Sequence, residues 1–394
     1  MYRVKTFNKI APKGLARFPD HGFEVGAGVD DPHAVLLRSH RLTEGDLPGH
    51  VAAVARAGVG VNNVPVEFCS RRGIVVFNTP GANANSVKEL VLAALLLTSR
   101  DVLGGFDYVR TLTTVTDDEE LHRLVEQEKS RFKGHEVAGR TLGIVGLGAV
   151  GSRVARAALN LGMDVLGYDP ALSVDAAWRL PSDVKRMENL PTLFARSHYV
   201  SLHIPAIAQN VGLVNEDLLA NLQPRSVLLN FARQEIVDEA AVKTALGGGR
   251  LAAYFADFPS TVLAGEPNAH TTPHLGASTA EAEENCAVMA ADQLRQFLLY
   301  GNVENSVNFP NVALDPADGY RVGVTNANVA GMLGQIMSTL ADARINVIDM
   351  INKSRDRVAY NLIDLDTPPD DELMAQISAI DEVLSVRLFD PLTD

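Results

Sequence analysis

The sequence predicts an α/β protein with two doubly wound parallel-sheet domains and a small ferredoxin-like domain at the end. Short apolar runs alternate with helical stretches twice along the chain, which is typical of successive βα units. The tail then has the predicted order β-α-β-β-α-β of a ferredoxin-like module. At ~100–200 residues per domain, the 394 residues are enough for two to four domains.

The composition is that of a globular protein, with 46% hydrophobic and 21% charged residues. The net charge of −13 disfavours non-specific binding to nucleic acid or anionic membranes. The longest apolar run, residues 90–97, is much shorter than the ~20 residues of a membrane span, and the charged N-terminus is not expected to be a signal peptide. Because Cys69 and Cys286 are the only cysteines, we expect no disulfide framework, no metal site and a cytoplasmic location.

The first alternation covers about the first 98 residues. Its predicted strands and its long apolar helix lie at 34–39, 50–60, 73–80 and 85–100. A polar, helix-prone stretch follows and leads to the second alternation, whose predicted strands lie at 141–145, 163–169, 199–205, 226–232 and 250–259. One long amphipathic helix, residues 279–301, closes this part of the chain.

The C-terminal part begins with residues 308–319, which are rich in Pro, Asn, Asp and Gly and are therefore predicted to be a linker. Its predicted strands and helices lie at 320–325, 330–343, 346–352, 357–366, 370–379 and 382–389.

A glycine motif follows the first strand of the second alternation. Gly146, Gly148 and Gly151 have the spacing G-x-G-x-x-G, between an apolar strand and a helix. Gly146 permits a tight turn, Gly148 lets the backbone approach a pyrophosphate, and Gly151 lets the helix pack on the strand. Together with Ala149 and Val150 they predict a phosphate site at a helix N-terminus in a Rossmann-like domain.

Asp169 ends the next predicted strand, where the acidic residue of this fingerprint is expected. A carboxylate there accepts hydrogen bonds from ribose hydroxyls and repels a 2′-phosphate, so the predicted cofactor is NAD rather than NADP. The alternative is a glycine-rich turn in an α/β domain that binds no nucleotide.

Several motifs together resemble the D-2-hydroxyacid dehydrogenase family: NTPGANANSVKELVLAALLL, TLGIVGLGAVGSRVA, LLNFARQEIVDEAAV and TPHLGAST. DFP, PHLGAST and NSVNFP are similar to the short bacterial phosphoglycerate dehydrogenases of that family, which end in a regulatory ACT domain. The resemblance implies a discontinuous substrate-binding domain (1–98 and 280–310), an NAD-binding Rossmann domain (99–279) and an ACT domain (319–394). The active site would lie between the first two.

The resemblance also implies three catalytic residues. Arg233 would orient the substrate carboxylate and carbonyl, since a guanidinium binds a carboxylate through two parallel hydrogen bonds. His274 would act as acid–base, because histidine titrates near neutral pH. Val262 stands where the family has a glutamate that orients this histidine, so we expect Glu266 to fold back to it. The alternative is a different orienting group.

The same resemblance places the ligands. Asp257 would hold the nicotinamide carboxamide, and the other contacts to the cofactor would come from His203, Pro205 and Ala232. The substrate would be held by Arg38 and Ser39 on its phosphate, by backbone N–H groups of Val59 and Gly60 on its carboxylate, and by Asn83.

In the related enzymes serine binds between ACT domains through one histidine and two asparagines. Asn328 and Asn346 match the asparagines, and Asn326 stands where the histidine would be. An asparagine still donates and accepts hydrogen bonds, so serine regulation is implied. The alternative is an ACT pair that only dimerises through an exposed strand edge. A homodimer or homotetramer is expected in either case.

The function implied is NAD-dependent oxidation of 3-phosphoglycerate to 3-phosphohydroxypyruvate, the first step of serine biosynthesis. One alternative is another D-2-hydroxyacid dehydrogenase, acting on an acid without phosphate. A second is a binding protein that senses NAD, similar to the corepressors that share the fold; the missing family glutamate is its support.

Overall fold

The computed structural model describes residues 1–315 and 319–389. The chain divides into two compact units. Unit 1 comprises Met1–Ala82 and Ala280–Asp394, and unit 2 comprises Asn83–Thr279. Part of the predicted linker (316–318) and the end of the predicted ACT domain (390–394) lie outside the described residues.

The N-terminal part of unit 1 is a parallel sheet, as the first strand–helix alternation predicts. Its elements are β1 (Tyr2–Phe7), α1 (Pro12–Leu15), β2 (Phe23–Gly26), β3 (Ala34–Leu37), β4 (Ala53–Arg56), α2 (Val66–Arg71) and β5 (Val75–Phe77). The strand order is β2-β1-β3-β4-β5. Every residue of β3 is buried, as expected for a central strand that is covered on both faces.

Unit 2 contains a second parallel sheet, in the order β12-β11-β10-β9-β6-β7-β8. Its elements are α3 (Ala84–Ser99), α4 (Val102–Thr111), α5 (Asp118–Glu128), β6 (Thr141–Val145), α6 (Gly151–Asn160), β7 (Asp164–Tyr168), α7 (Val174–Trp178), β8 (Lys185–Arg186), α8 (Leu190–Arg196), β9 (Tyr199–Leu202), α9 (Glu216–Leu219), β10 (Ser226–Asn230), α10 (Glu239–Gly247), β11 (Leu251–Ala256) and β12 (Ala269–Thr271). The strand order reverses at β6, and ligands of open α/β sheets bind at such a switch point.

Helix α3 is part of unit 2. Its fully buried residues Val91, Ala94 and Leu95 belong to the same apolar core as Ile144 of β6 and Leu229 of β10. The sequence places this helix in the substrate-binding domain, with a boundary at residue 98, whereas the compact units divide at residue 82. The boundary differs because the apolar face of α3 packs on the sheet of unit 2. The division into three functional domains stays a prediction.

The C-terminal part of unit 1 contains α11 (Ala280–Tyr300), β13 (Tyr320–Ala327), α12 (Met332–Asp342), β14 (Val347–Arg355), β15 (Val358–Leu365), α13 (Asp371–Ser378) and β16 (Val383–Phe389). The tail has the β-α-β-β-α-β order predicted from the sequence. Its strands form an antiparallel sheet in the order β14-β15-β13-β16, which is the ferredoxin-like arrangement and is compatible with an ACT domain.

This antiparallel sheet is buried on two faces. One face packs under α12 and α13, in a core that contains Ile336 and Ile377. Tyr360 and Phe389, from its strands, pack instead in the core that contains Phe297 of α11. Phe309 of the predicted linker is fully buried in that second core, so this stretch is structural rather than a free connection.

A buried arginine of the C-terminal sheet forms an ion pair within the sheet and hydrogen bonds to the segment before it. Arg321 of β13 donates to both carboxylate oxygens of Asp364 on β15, at 2.7 and 2.9 Å. The same guanidinium donates to the carbonyl oxygens of Tyr300, Leu314 and Asp315. Arg321 is 8% exposed and Asp364 is 2% exposed, so neither charge has water as an alternative partner.

We predict that Asp364→Asn lowers the free energy of opening of β13 and β15 by about 3–5 kcal/mol, because it leaves the Arg321 charge buried without a counter-charge. Hydrogen exchange of peptides from these two strands measures it. Asp107→Asn, in an exposed pair with Arg110, is the control and should change stability by less than ~1 kcal/mol. Equal protection of β13 and β15 in the two variants would contradict the prediction.

Candidate active site

The loop after β6 has the geometry that the dinucleotide fingerprint predicts. Gly146 has a φ of +92°, and a Cβ there would lie 2.5 Å from the carbonyl oxygen of His203. A Cβ on Gly151 would lie 1.9 Å from the carbonyl oxygen of Gly146, so helix α6 needs glycine where it begins. At Gly148 a Cβ would meet no atom within 4 Å, which leaves this point of the loop open to a ligand.

The start of α6 supplies hydrogen-bond donors. No side chain caps this helix end. The backbone N–H groups of Ala149 and Val150 have no acceptor within the described part of the chain. Free N–H groups at a helix N-terminus attract anions, since the helix dipole adds to their partial charge. The loop therefore fits the diphosphate of a dinucleotide.

Asp169 follows β7 and faces this loop. Its carboxylate accepts hydrogen bonds from the N–H groups of Leu147 and Ala171, at 2.9 and 3.0 Å. These two contacts orient the carboxylate and leave lone pairs on both oxygens. Asp169 is thus held beside the glycine loop with capacity to accept ribose hydroxyls, as the sequence predicts for an NAD site.

Arg233 lies just beyond β10, at the carboxyl edge of the sheet. The buried amide of Asn230 shapes this turn, because it donates to the carbonyl oxygen of Arg233 at 2.9 Å and accepts from the N–H of Ala232 at 3.2 Å. The Arg233 guanidinium donates to the carbonyl oxygen of Ala232 and forms no ion pair with any described carboxylate. It is therefore available to bind the carboxylate of a ligand.

His274 lies in a loop that wraps around one buried carboxylate. Asp257, which is 3% exposed, accepts hydrogen bonds from the Thr272 hydroxyl and from the N–H groups of Leu275 and Gly276, at 2.6–2.7 Å. The N–H of His274 donates to the backbone oxygen of Asp257 at 3.1 Å. These contacts hold His274 at a φ of +59°, which is strained for a residue with a Cβ.

The turn of Arg233 and the loop of His274 are connected through the adjacent ends of β10 and β11. The N–H of Asp257 donates to the carbonyl oxygen of Asn230 at 3.1 Å, where β10 and β11 end side by side. Asn230 therefore shapes the Arg233 turn with its side chain and contacts the His274 loop with its backbone. The ring of His274 packs edge-on against Phe258, is exposed, and has no hydrogen-bonding partner among the described residues.

One expectation for this loop, that Glu266 folds back to His274, differs from the structure, whereas the expected role of Asp257 stays a prediction. Glu266 forms an ion pair with Lys243 of α10 at 2.9 Å and does not contact His274, because the nearby ammonium is the stronger partner. Asp257, expected to hold the nicotinamide carboxamide, has a carboxylate that accepts from three donors of its own loop. In this conformation it anchors the His274 loop.

His203 lies beyond β9, next to the glycine loop. Its Nε2 is 2.8 Å from the Ser201 hydroxyl, and burial lowers the pKa of His203 to about 3. The imidazole is therefore neutral at physiological pH and unsuited to acid–base work. Pro205, two residues further on, is exposed.

Unit 1 contains the residues expected to hold a phosphate. Arg38, after β3, is paired with Glu283 of α11 at 2.8 Å, and both side chains are about 40% exposed. The Ser39 N–H donates to the side chain of Asn8 at 3.1 Å, which holds the turn. An exposed pair of this kind contributes only ~0–1 kcal/mol, so an incoming dianion can take the place of Glu283.

The loop expected to hold a carboxylate has free donors. The N–H groups of Val59 and Gly60 have no acceptor in the described parts of the chain. The carbonyl oxygen of Val59 accepts from the side chain of Asn78 at 2.6 Å, which fixes the loop from behind. Asn83, expected near the substrate, belongs to unit 2 and directly precedes α3.

The three asparagines expected to bind an effector do not come together in one chain. Asn326 is 2% exposed and accepts a hydrogen bond from Asn361, so it is structural here. Asn328 lies beside Arg357, whereas Asn346 lies beside Asp366 at the opposite end of the sheet. At ~3.3 Å per residue, the strand between them separates the two by on the order of 25 Å.

The comparisons with known proteins agree with this geometry. The family model described as D-isomer specific 2-hydroxyacid dehydrogenase, NAD binding domain, matches residues 105–276. The D-3-phosphoglycerate dehydrogenase of Haemophilus influenzae is 30% identical over 93% of this chain and 89% of its own length. That of Synechocystis is 34% identical over 81% of this chain, which spans 56% of the longer relative.

The structure of NAD⁺-bound 3-phosphoglycerate dehydrogenase from Entamoeba histolytica has a TM-score of 0.61 and is 26% identical, covering 78% of this chain and 98% of its own. The chain belongs to the D-2-hydroxyacid dehydrogenase family, and its cofactor is NAD. Within that family, the relatives from Haemophilus influenzae and Synechocystis are D-3-phosphoglycerate dehydrogenases. The family, the α/β fold and the cofactor predicted from the sequence are confirmed.

The sequence reasoning missed three asparagines: Asn8, Asn78 and Asn230. Each fixes a loop that carries an expected ligand group, through a side-chain hydrogen bond to the backbone. A sequence signal exists only in their position, since each lies at the carboxyl end of a strand, where loops of parallel sheets bind ligands.

We predict that Asp257→Asn lowers kcat about 10–100-fold while the Kd for NAD changes little, because an amide cannot accept from all three donors and the His274 loop loosens. Steady-state assays of NADH formation measure kcat, and titration with NAD measures the Kd. Asp164→Asn, an exposed acid at the start of β7, is the control. If NAD affinity falls as much as kcat, Asp257 contacts the cofactor instead, as the sequence reasoning expects.

We also predict that Glu266→Gln leaves the pH–rate profile unchanged, because Lys243 and not His274 is its partner. Lys243→Gln should behave in the same way. If the pH–rate profile shifts in Glu266→Gln but not in Lys243→Gln, the Glu266 carboxylate contacts His274 during turnover.

Proposed function

We propose that the protein oxidises 3-phosphoglycerate at C2 to 3-phosphohydroxypyruvate, with NAD as acceptor, at the entry to serine biosynthesis. One observation carries the proposal. An arginine without a carboxylate partner and a strained, exposed histidine are tied to neighbouring strand ends by one buried network, in the unit that has the dinucleotide loop.

The chemistry of these groups fits a 2-hydroxyacid. Arg233 would hold the substrate carboxylate with two parallel hydrogen bonds. His274 would accept the proton of the C2 hydroxyl, and the neutral imidazole would become imidazolium. Bound NAD supplies the hydride acceptor for C2. The glycine loop and Asp169 would hold its diphosphate and ribose.

Two groups of unit 1 would complete substrate recognition. Arg38 would exchange Glu283 for the substrate phosphate, because a dianion makes the stronger charge-assisted hydrogen bonds. The free N–H groups of Val59 and Gly60 would add donors to the carboxylate. Supporting this role, the loop is partly exposed and held from behind by Asn78.

The effector and the assembly are further proposals. We propose that serine binds at the C-terminal sheet between two copies of the chain, since Asn328 and Asn346 of one copy lie at opposite ends of that sheet. The edge strand β14 supports such pairing, since its outer side pairs with no described strand. The alternative, a pair that only associates, predicts dimers with no response to serine.

Among the described residues no helix could span a membrane. A cytoplasmic location stays a prediction from the two buried free thiols, Cys69 and Cys286.

The test is NADH formation with 3-phosphoglycerate and with D-glycerate. We expect rapid turnover of 3-phosphoglycerate and much slower turnover of D-glycerate. Arg38→Gln should raise KM for 3-phosphoglycerate about 10–100-fold, because one charge-assisted contact is lost, and should leave D-glycerate unaffected. Equal turnover of both acids would favour a dehydrogenase for an acid without phosphate.

Two variants serve as controls for that test. Arg17→Gln, in an exposed pair with Asp292 of the same unit, should leave KM unchanged. Arg233→Ala should abolish turnover while NAD still binds. Retained turnover in Arg233→Ala would falsify the assignment of this residue.

A further inference from the structure

Unit 1 contains a cavity that no part of the proposed active site uses. Its volume is about 660 Å³, and its walls come from three distant stretches of chain. These are residues 78–80 after β5, residues 305–311 after α11, and the end of β14 at residues 353–355. The cavity thus lies where the antiparallel sheet meets the N-terminal part of the same unit.

The walls are rich in donors and carry positive charge. Lys353 and Arg355 line the cavity, and none of the lining residues is acidic. The ammonium of Lys353 has no hydrogen-bonding or ionic partner in the described structure. Arg355 uses Nη1 on the carbonyl oxygens of Ser306 and Phe309, which leaves Nε and Nη2 without an acceptor in the described chain.

The amides of the cavity add to this surplus. Asn311 accepts from the backbone N–H of Asn305 at 3.1 Å, and this contact closes the loop that forms one wall. The side-chain NH₂ groups of both residues have no acceptor in the described residues. Two cations and two free amides around one space, in a protein of net charge −13, make a local site for an anion.

We propose that this cavity binds a small oxyanion, a metabolite with a phosphate or carboxylate group, at a site separate from the substrate residues. Lys353 and Arg355 hold the charge, and Asn305 and Asn311 donate to its oxygens. Neutral ligands are disfavoured because they gain no charge-assisted hydrogen bonds from the two cations.

The cavity has a direct connection to the substrate loop. Asn78 lines the cavity, and its side chain donates to the carbonyl oxygen of Val59 at 2.6 Å. An occupant that contacts Asn78 therefore acts one hydrogen bond away from the free N–H groups of Val59 and Gly60. This consequence for the substrate rests on the proposed function, whereas binding of the anion does not.

The experiment is calorimetric titration of the full chain with inorganic phosphate and, separately, with succinate. Arg38→Gln serves as the background, so that the proposed substrate site does not contribute. We expect binding of at least one probe, and the tighter one identifies the headgroup chemistry. In this background, Lys353→Gln should weaken that binding about tenfold or more, whereas Lys353→Arg, which keeps the charge, should retain it. Lys129→Gln, at an exposed lysine of unit 2, is the matched control.

Hydrogen exchange locates the site independently of catalysis. Binding should protect peptides that contain residues 305–311 and 353–355. Absence of binding by both probes, an unchanged affinity in the Lys353→Gln variant, or protection confined to other segments would each overturn the proposal. Because no turnover is measured, a negative result in these binding experiments would not bear on the proposed dehydrogenase function. Equally, a negative result in the turnover assays would not bear on this anion site.

Discussion

The buried carboxylate of Asp257 is the constraint on which the loop of His274 and the neighbouring strand ends of unit 2 depend. Three donors of the following loop converge on it, and they hold His274 in a left-handed conformation that a histidine would otherwise avoid. A carboxylate with no access to water must keep these partners, since an unpaired buried charge is very costly. Through Asn230 the same network reaches the turn of Arg233. The proposed acid–base group, His274, and the proposed carboxylate binder, Arg233, are thus held by one arrangement at the ends of two strands.

Unit 1 contains the groups that are proposed to bind anions, and short amide side chains hold the loops that carry these groups. Asn8 fixes the turn of Arg38 and Ser39, and Asn78 fixes the loop of Val59. Amides suit this task because they hold the backbone without adding a charge that would compete for the ligand. The positive potential stays local, at the places where backbone N–H groups and guanidinium groups remain free.

The C-terminal sheet is not an appendage in this chain. Its second face shares a core with α11, and Arg321 ties it to the segment that leads into it. The end of its strand β14 forms one wall of the cavity, at Lys353 and Arg355. A small domain that both covers the core and lines such a cavity can transmit a ligand's presence through packed contacts rather than through a flexible linker.

Local patterns in the sequence determined the strand and helix order, the glycine turns, the NAD fingerprint and the family, because periodicity and turn chemistry act between near neighbours. Only the tertiary structure decided which partner each side chain meets. Helix α3 packs on unit 2, Glu266 meets Lys243, and Asn326 is buried against Asn361. The cavity likewise needs residues 78–80 beside residues 305–311 and 353–355, which lie far from them along the chain. Contacts of this kind depend on packing between distant segments, and no local pattern records them.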